Sequence, residues 1–575
     1  MEIKTLNFTS EDHNSIVNGK KSKNWPVVYL LRDQKEIYIG ETNNFAQRFL
    51  QHLNNSNKKH LRKIDLILGS DFNKSATLDI EQALIRLFSA DGQLNVLNLN
   101  GGQSANNDYF QRERYEKSLE DIWKRLVKMK LARKQYLDLI NSEIFKYSPY
   151  ISLTNDQLAV SYQIINNIVH ALRTGENITN IINGGAGTGK TIVAINIIFQ
   201  IVQANTNLVS TFDDEEFTDF ESKTISNLRR YIKEFGKIKI GFIVPMKSLR
   251  MTLSRVFSKT RRGLSGSQVI GPSDLKNEHY DVLFVDETHR LSQRKNITNM
   301  GNFDLICHDL GLNPTTSSQL DWVIAKSKTR VLFYDRGQTI KGSDIDANEF
   351  DRTTEKTTLK SFFLESQMRS KGGNLFIDYI SKLLNCTLSE KIEFSDNYDF
   401  RLYHDVEQMY QAIKRKNIEM KLCRMISGYS WKWNTKNKKG IPTEKLLKQG
   451  IYDIDIDGKR YIWNRSDKEY ILKEDSINEI GCVHTTQGYD LNYVGLIFGR
   501  EIDYNYEKNC IQIDLSKFCD TNVKKDNTRE KVEEYIINSY KVMLSRGIKG
   551  CYVYAYNKNL RNYLAKYVTE AKTNG

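Results

Sequence analysis

Gly184-Gly185-Ala186-Gly187-Thr188-Gly189-Lys190-Thr191 decides how this chain is read. The eight residues fit G-x-x-x-x-G-K-[ST] in full. An apolar run, Ile181-Ile182-Asn183, precedes them, and an apolar stretch at helical spacing, 192–202, follows. That strand-loop-helix context turns a glycine-rich string into a mechanism. Gly184, Gly187 and Gly189 let backbone N–H groups curl round phosphates. The helix N-terminus adds its positive dipole. Lys190 can reach the β and γ phosphates of a nucleotide, and the Thr191 hydroxyl can ligate Mg²⁺.

Working outward, Val282-Leu283-Phe284-Val285-Asp286-Glu287 is an apolar strand that ends in two carboxylates. Asp286 is placed to hold the Mg²⁺ shell and Glu287 to polarise an attacking water. Further strand-like runs lie at 238–244 and 331–334, each followed by a polar or Gly-rich turn. Strands alternating with helices predict a parallel sheet covered on both faces. An acidic stretch at 213–221 reads as a surface insertion. A second α/β unit follows from about 362.

With these residues in place the chain resembles superfamily 1 helicases, and more closely the Schlafen-type P-loop proteins. Leu153-Thr154-Asn155-Asp156-Gln157 is similar to their adenine-reading motif, which implies that Gln157 clamps the base. Phe333-Tyr334-Asp335-Arg336-Gly337-Gln338 is similar to their coupling motif, with Gln338 at the γ phosphate. Gln367-Met368-Arg369 resembles the motif that carries the first arginine of the second lobe. His484-Thr485-Thr486-Gln487-Gly488-Tyr489-Asp490 resembles the fifth motif, which implies that Gln487 and Gly488 face the nucleotide. Asp490 stands where the family usually has Glu. Val542-Met543-Leu544-Ser545-Arg546-Gly547 resembles the sixth motif, with Arg546 as arginine finger. Guanidinium groups at Arg369 and Arg546 suit the charge that spreads over the γ-phosphoryl oxygens in the transition state. Only the ordered set is specific, since any one arginine could serve a surface ion pair. The aromatic segment Gly428-Tyr429-Ser430-Trp431-Lys432-Trp433, with Trp463, fits base stacking or ordinary core packing, and core packing is the simpler reading.

Near the N-terminus, Val27-Val28-Tyr29-Leu30-Leu31 and Ile37-Tyr38-Ile39-Gly40 are short β-type runs split by a polar turn. Residues 45–53 and 78–88 carry apolar side chains at helical spacing. The order Tyr29, Tyr38-Ile39-Gly40, Arg48, Glu81, Asn95 resembles the GIY-YIG nuclease domain over about residues 24–100. The first triplet is degenerate, with Val27-Val28-Tyr29 in place of Gly-Ile-Tyr. The resemblance implies that Glu81 holds one Mg²⁺ or Mn²⁺ and that Arg48 contacts the scissile phosphate. It also implies that Tyr29 helps deprotonate the nucleophilic water, Tyr38 positions it and Asn95 braces the site. His52, one turn beyond Arg48 on the same helical face, is placed to assist proton transfer. Each residue has a plainer alternative: strand packing for the tyrosines, a solvated helix for Arg48 and His52, a cap or pair for Glu81.

The expected fold class is therefore α/β, a small GIY-YIG domain followed by two RecA-like parallel-sheet lobes. Its divisions are 1–102 nuclease domain, 103–150 charged helical linker, 151–361 first lobe with the phosphate loop, and 362–575 second lobe. The linker stretch 124–134 carries six basic residues and no acidic one, so it reads as a solvated connecting helix or as one that faces nucleic acid.

Composition agrees. The 575 residues carry 84 Lys+Arg against 70 Asp+Glu, a net +14 that suits a polyanionic partner. A hydrophobic content of 39 % is enough for several cores, which excludes wholesale disorder. No apolar run is long enough to span a bilayer, and the start MEIKTLNFTSEDHNS has no secretory apolar stretch. The seven scattered cysteines form no Cys-x-x-Cys pair, which suggests a reducing, cytoplasmic setting without zinc or disulfides. The expected cofactors are ATP and Mg²⁺, with Mn²⁺ an option at the nuclease site. The expected partner is nucleic acid, DNA ahead of RNA, with no membrane partner. The expected activity is ATP-dependent phosphodiester cleavage, with antiphage defence as its setting. The alternative is a nucleic-acid-sensing ATPase switch, or a repair translocase, with a non-catalytic N-terminal module.

Overall fold

The computed structural model describes residues 1–17, 24–98, 109–185, 187–206, 219–260, 262–295, 297, 299–335, 342–365, 370–394, 398–438, 440–465, 470–486, 489–525 and 527–572. Residues 1–173, 191–239 and 252–269 form one compact unit, and residues 174–190, 240–251 and 270–575 form another.

The first unit starts with a five-stranded sheet in the order Glu2–Asn7, Lys63–Leu68, Val27–Arg32, Glu36–Thr42, Asn95–Val96. The first four pair antiparallel and the last joins in parallel. Val27–Arg32 and Glu36–Thr42 form the hairpin read from the sequence, with Tyr29 opposite Gly40 and Leu31 opposite Tyr38. Side chains alternate across a strand, so Tyr29, Tyr38 and Gly40 share one face. Helix Phe45–Asn54 supplies that face with Phe45, Ala46, Phe49 and His52, a one-sided stripe at helical spacing. Its N-terminus is capped by Asn44, which accepts from Gln47 N. Helix Lys74–Asp91 is capped by Asn73 and ends at Gly92, whose φ of 70° is the left-handed conformation glycine reaches at no steric cost.

The connecting region is helical over Arg112–Lys128, Tyr136–Ile140 and Glu143–Lys146. The first of these buries Tyr115, Leu119, Ile122, Trp123 and Leu126 and leaves Lys124, Arg125 and Lys128 exposed. Trp123 packs edge-on against Phe88, with ring centroids 5.1 Å apart, and donates to Lys134 O at 3.0 Å. The linker is thus a docked amphipathic helix with a charged outer face.

The second unit holds two parallel sheets. The larger has the order Thr358–Leu364, Ile178–Gly184, Ser327–Tyr334, Tyr280–Val285, Ile240–Ile243, Val269–Ile270. Strand Thr358–Leu364 pairs in parallel with Ile178–Gly184 along its whole length, so it straddles the expected division at 361/362 and belongs wholly to this sheet. The other sheet has the order Cys423–Ser427, Leu491–Phe498, Gly547–Ala555, Asp399–Leu402, Thr569–Glu570, again all parallel. A three-stranded sheet, Ile454–Ile456 with Lys459–Trp463 and Glu479–Ile480, flanks it. Trp431 and Trp463 are buried in the apolar cluster between them, so these rings pack in the core and are not offered to bases. Among the described residues no helix is long and apolar enough to cross a membrane.

Candidate active sites

The N-terminal cluster grows from the hairpin face and the helix above it. Tyr29 Oη lies 2.8 Å from His52 Nε2, and Arg48 donates its Nε–H to the same oxygen at 3.4 Å. The Tyr38 ring meets the His52 ring edge-on at 5.2 Å between centroids. Gly40 is required here because a Cβ at this position would fall on the Tyr29 hydroxyl. The intact Tyr38-Ile39-Gly40 triplet therefore has a packing reason independent of any chemistry.

Lys58 completes the cluster. Its ammonium sits 3.2 Å from His52 Nδ1 and 3.4 Å from the centroid of the Tyr38 ring, and the residue is buried. An ammonium only donates, so Nδ1 is the acceptor and the neutral imidazole carries its hydrogen on Nε2, directed at Tyr29 Oη. Burial, then the charges of Lys58 and Arg48, hold His52 well below its ordinary pKa, which keeps it neutral at pH 7. His52 is thus buried against Tyr29 and Lys58 and is not a solvated helix residue.

Glu81 is buried on helix Lys74–Asp91, one turn after Thr77, whose hydroxyl donates to Glu41 at 3.2 Å. Asn95 turns to the exposed end of the sheet, where its amide donates to Glu36 at 3.2 Å. The amide that braces the second triplet is Asn98, which accepts from Ile39 N at 3.0 Å and donates to Ile39 O at 2.8 Å. Neither Lys58 nor Asn98 was legible beforehand. Lys58 lies in a polar loop with no periodicity, and Asn98 is one of several asparagines in a short run.

In the phosphate loop the parallel register does the placing. Tyr334 stands opposite Asn183 and Leu332 opposite Val285, so Gly184, Asp335 and Asp286 all lie at the C-terminal ends of three neighbouring strands. Gly187 and Gly189 have φ of 85° and 82°, which a side-chain-bearing residue rarely adopts. Lys190 Nζ donates back to Gly184 O at 2.5 Å and Gly185 O at 2.9 Å and lies 3.6 Å from Asp335. Asp286 is fully buried, and Thr191 follows directly at the helix start.

Glu287 sits at φ 47°, a left-handed turn that swings its side chain away from the strand line. Its Oε2 is buried without a hydrogen bond and lies 3.2 Å from His289 Nε2. Burial, with the charge of Arg290 next, holds His289 well below its ordinary pKa. The buried Asp286 carboxylate at the strand tip is the type of donor a hydrated divalent cation takes.

Gln157 is buried at a helix start, where its Oε1 accepts from Thr154 N at 3.0 Å while Thr154 Oγ1 accepts from Gln157 N at 3.3 Å. This reciprocal pair is a capping box. Arg546 is buried just after helix Arg529–Leu544. Gln338, Arg369, Gln487 and Gly488 lie outside the described residues.

Comparison with known proteins gives two family matches. Residues 178–557 match the family described as Schlafen group 3, DNA/RNA helicase domain, and residues 26–95 match the GIY-YIG catalytic domain. The uncharacterized protein YPL245W of Saccharomyces cerevisiae is 27 % identical over 422 residues, 67 % of this chain and 83 % of its own length. Among solved structures, the Pif1 helicase from Bacteroides in complex with ADP-AlF3 and ssDNA is 12 % identical and covers 69 % of this chain and 93 % of its own, with a TM-score of 0.25. Bacteroides Pif1 bound to ssDNA is 12 % identical with a TM-score of 0.26, covering 72 % of this chain and 94 % of its own. Matched over residues 178–557, the chain belongs to the Schlafen group 3 DNA/RNA helicase-domain family, and it carries a GIY-YIG domain ahead of that match.

Proposed function

We propose that this protein is an ATP-dependent nuclease, in which the helicase-type domain binds and remodels nucleic acid and the GIY-YIG domain cuts it. The helicase domain implies ATP binding with a divalent cation. The observation that carries the nuclease half is the buried contact of Tyr29, His52 and Arg48, which joins residues from a strand and a helix at one point. In this reading an ionised Tyr29 Oη, held by the N–H groups of His52 and Arg48, takes the proton of the attacking water, Tyr38 positions that water, and Arg48 faces the charge developing on the phosphoryl oxygens. Glu81 would hold a divalent cation at the nuclease site, and Asp286 with Thr191 would hold one at the nucleotide. A cation bound at either place lowers the cost of negative charge on the phosphoryl group. Glu287 orients the water that attacks the γ phosphate, and Arg546 acts as arginine finger, worth about 10³–10⁵ in rate. Gln157, Gln338, Gln487, Gly488 and Arg369 complete the nucleotide site.

The test is separation of function. Glu81→Gln should abolish cleavage of labelled DNA and RNA with Mg²⁺ or Mn²⁺ while ATP hydrolysis stays at the parent rate. Lys190→Ala should do the reverse on short substrates. Parent-level cutting by Glu81→Gln would end the nuclease assignment. The setting we propose is defence against foreign nucleic acid, because a motor on the same chain supplies the search that a small nuclease lacks. Equal phage plating on cells carrying the parent or Lys190→Ala would remove it.

A further inference from the structure

The first unit contains a cleft of about 1180 Å³. Its walls come from the hairpin turn at Asp33, Lys35 and Glu36, the end of helix Lys74–Asp91, the linker residue Lys134, and the 258–263 segment with Lys259 and Arg262. Tyr38 and Lys58 also line it, so the cleft is continuous with the Tyr29–His52 cluster.

Its electrostatics are lopsided. Five cationic side chains line it, Lys35, Lys58, Lys134, Lys259 and Arg262, against the three carboxylates Asp33, Glu36 and Asp91. Those carboxylates are already engaged by the protein. Asp33 accepts from Lys35 N and Glu36 N, both at 2.7 Å. Asp91 accepts from Arg133 N at 3.0 Å and Lys134 N at 2.8 Å. Glu36 is held by His60 at 2.7 Å and by Asn95. Among the cations, Lys134 and Lys259 stand close enough to feel each other's charge, while Lys134 also donates to Ala90 O at 2.8 Å. Partial burial, and the nearby charges of Lys259 and Arg133, push the Lys134 ammonium down, against the pull of Asp91. Like charges held together in this way gain most from an anion that lies between them.

Arg262 adds a second, independent sign. It has φ 48°, in the left-handed region, and its guanidinium donates to the Val96 carbonyl on the cleft wall. A long side chain held in a sparsely populated backbone conformation marks a position whose placement matters.

We propose that this cleft is the path of a single nucleic-acid strand, whose phosphodiester backbone runs along Lys35, Lys134, Lys259 and Arg262 into the nuclease site. A walled groove with cations along it is how a protein tracks an unpaired backbone. Two of its cations, Lys259 and Arg262, lie within the helicase match, so that domain supplies part of the grip on the nuclease substrate. The inference rests on the nuclease reading for its direction, but the binding it requires does not depend on cleavage.

The experiment uses the full chain carrying Glu81→Gln, without nucleotide, and labelled single-stranded DNA, single-stranded RNA and duplex DNA across a salt series. Lys134→Ala/Lys259→Ala should weaken single-strand binding. It should also flatten the log–log salt slope by about 1.4, two phosphate contacts at roughly 0.7 each. A charge-matched control on the same unit, Lys117→Ala/Lys223→Ala, should keep the parent slope. In the cleavage-competent chain the cleft variant should raise KM and leave kcat unchanged. Equal affinity and slope for the two double variants would overturn the proposal, as would an effect confined to duplex. A parent that never cleaves, but whose single-strand binding the cleft variant weakens, would fault the nuclease reading and bear out the cleft.

Discussion

At the residue scale, Lys58 has the most specific consequence. Its ammonium depresses His52 and fixes which imidazole nitrogen carries the hydrogen. Lys58→Met should let the His52 pKa rise and free the ring to take the other tautomer. The acid limb of the cleavage pH profile should then move to higher pH. Cleavage at pH 8 should fall roughly tenfold, short of the ~10²–10⁴ that loss of a general base costs. Lys58→Arg should restore the profile in part, which a merely structural lysine would not require. An unchanged acid limb in Lys58→Met would remove Lys58 from the site.

His52 also sets a stability consequence. Its folded-state pKa lies below the unfolded one, so the unfolded chain binds the proton more readily. Stability should therefore hold above the unfolded value near 6.5 and fall as pH drops below it, at about 1.4 kcal/mol per pH unit for each such histidine. His289 adds a second contribution of the same sign. Thermal melting of parent and His52→Gln between pH 7.5 and 5 checks this. The variant should lose less on acidification, and parallel curves would show that His52 carries none of the acid sensitivity.

At the element scale, the linker helix Arg112–Lys128 is held by its buried stripe. Trp123 is fully buried against Phe88 of helix Lys74–Asp91, and both its ring and its indole N–H are used. Trp123→Ala should cost about 3–5 kcal/mol by denaturant titration. Lys124→Ala, on the exposed face of the same helix, should leave the titration midpoint nearly where it was. The contrast separates docking from the charged outer face, which charge composition alone could not do. The same scale explains the sheet edge at the phosphate loop. Parallel register, and not any single side chain, brings Asp335 beside Gly184 and sets Asp286 at the same end of the next strand.

At the scale of the whole molecule, the phosphate loop predicts linkage between nucleotide and stability. ATP with Mg²⁺ at about a hundred times its Kd should stabilise the chain by ~2.7 kcal/mol. The resulting rise in Tm should vanish in Lys190→Ala, whose ammonium would otherwise leave the Gly184 and Gly185 carbonyls for phosphate oxygens. A full Tm rise in Lys190→Ala would place nucleotide binding elsewhere. Nucleic-acid affinity should fall steeply with salt, as expected for a chain of net charge +14 that grips phosphates.

Some of this was open to reading in one dimension. The phosphate loop, the Asp286-Glu287 strand end and the Tyr29, Tyr38, Gly40 spacing are local patterns, because backbone chemistry and strand alternation act over a few residues. Their strands and helices appear where periodicity put them, and with them both family assignments. What the tertiary structure alone decided are contacts between distant segments. Lys58 onto His52, Asn98 onto Ile39 and the cleft that gathers Lys35, Lys134 and Lys259 depend on how loops close in space. The burial of Trp431 and Trp463, and the strand Thr358–Leu364 joining the first sheet, were settled the same way. Electrostatics and packing act through space and leave no period along the chain.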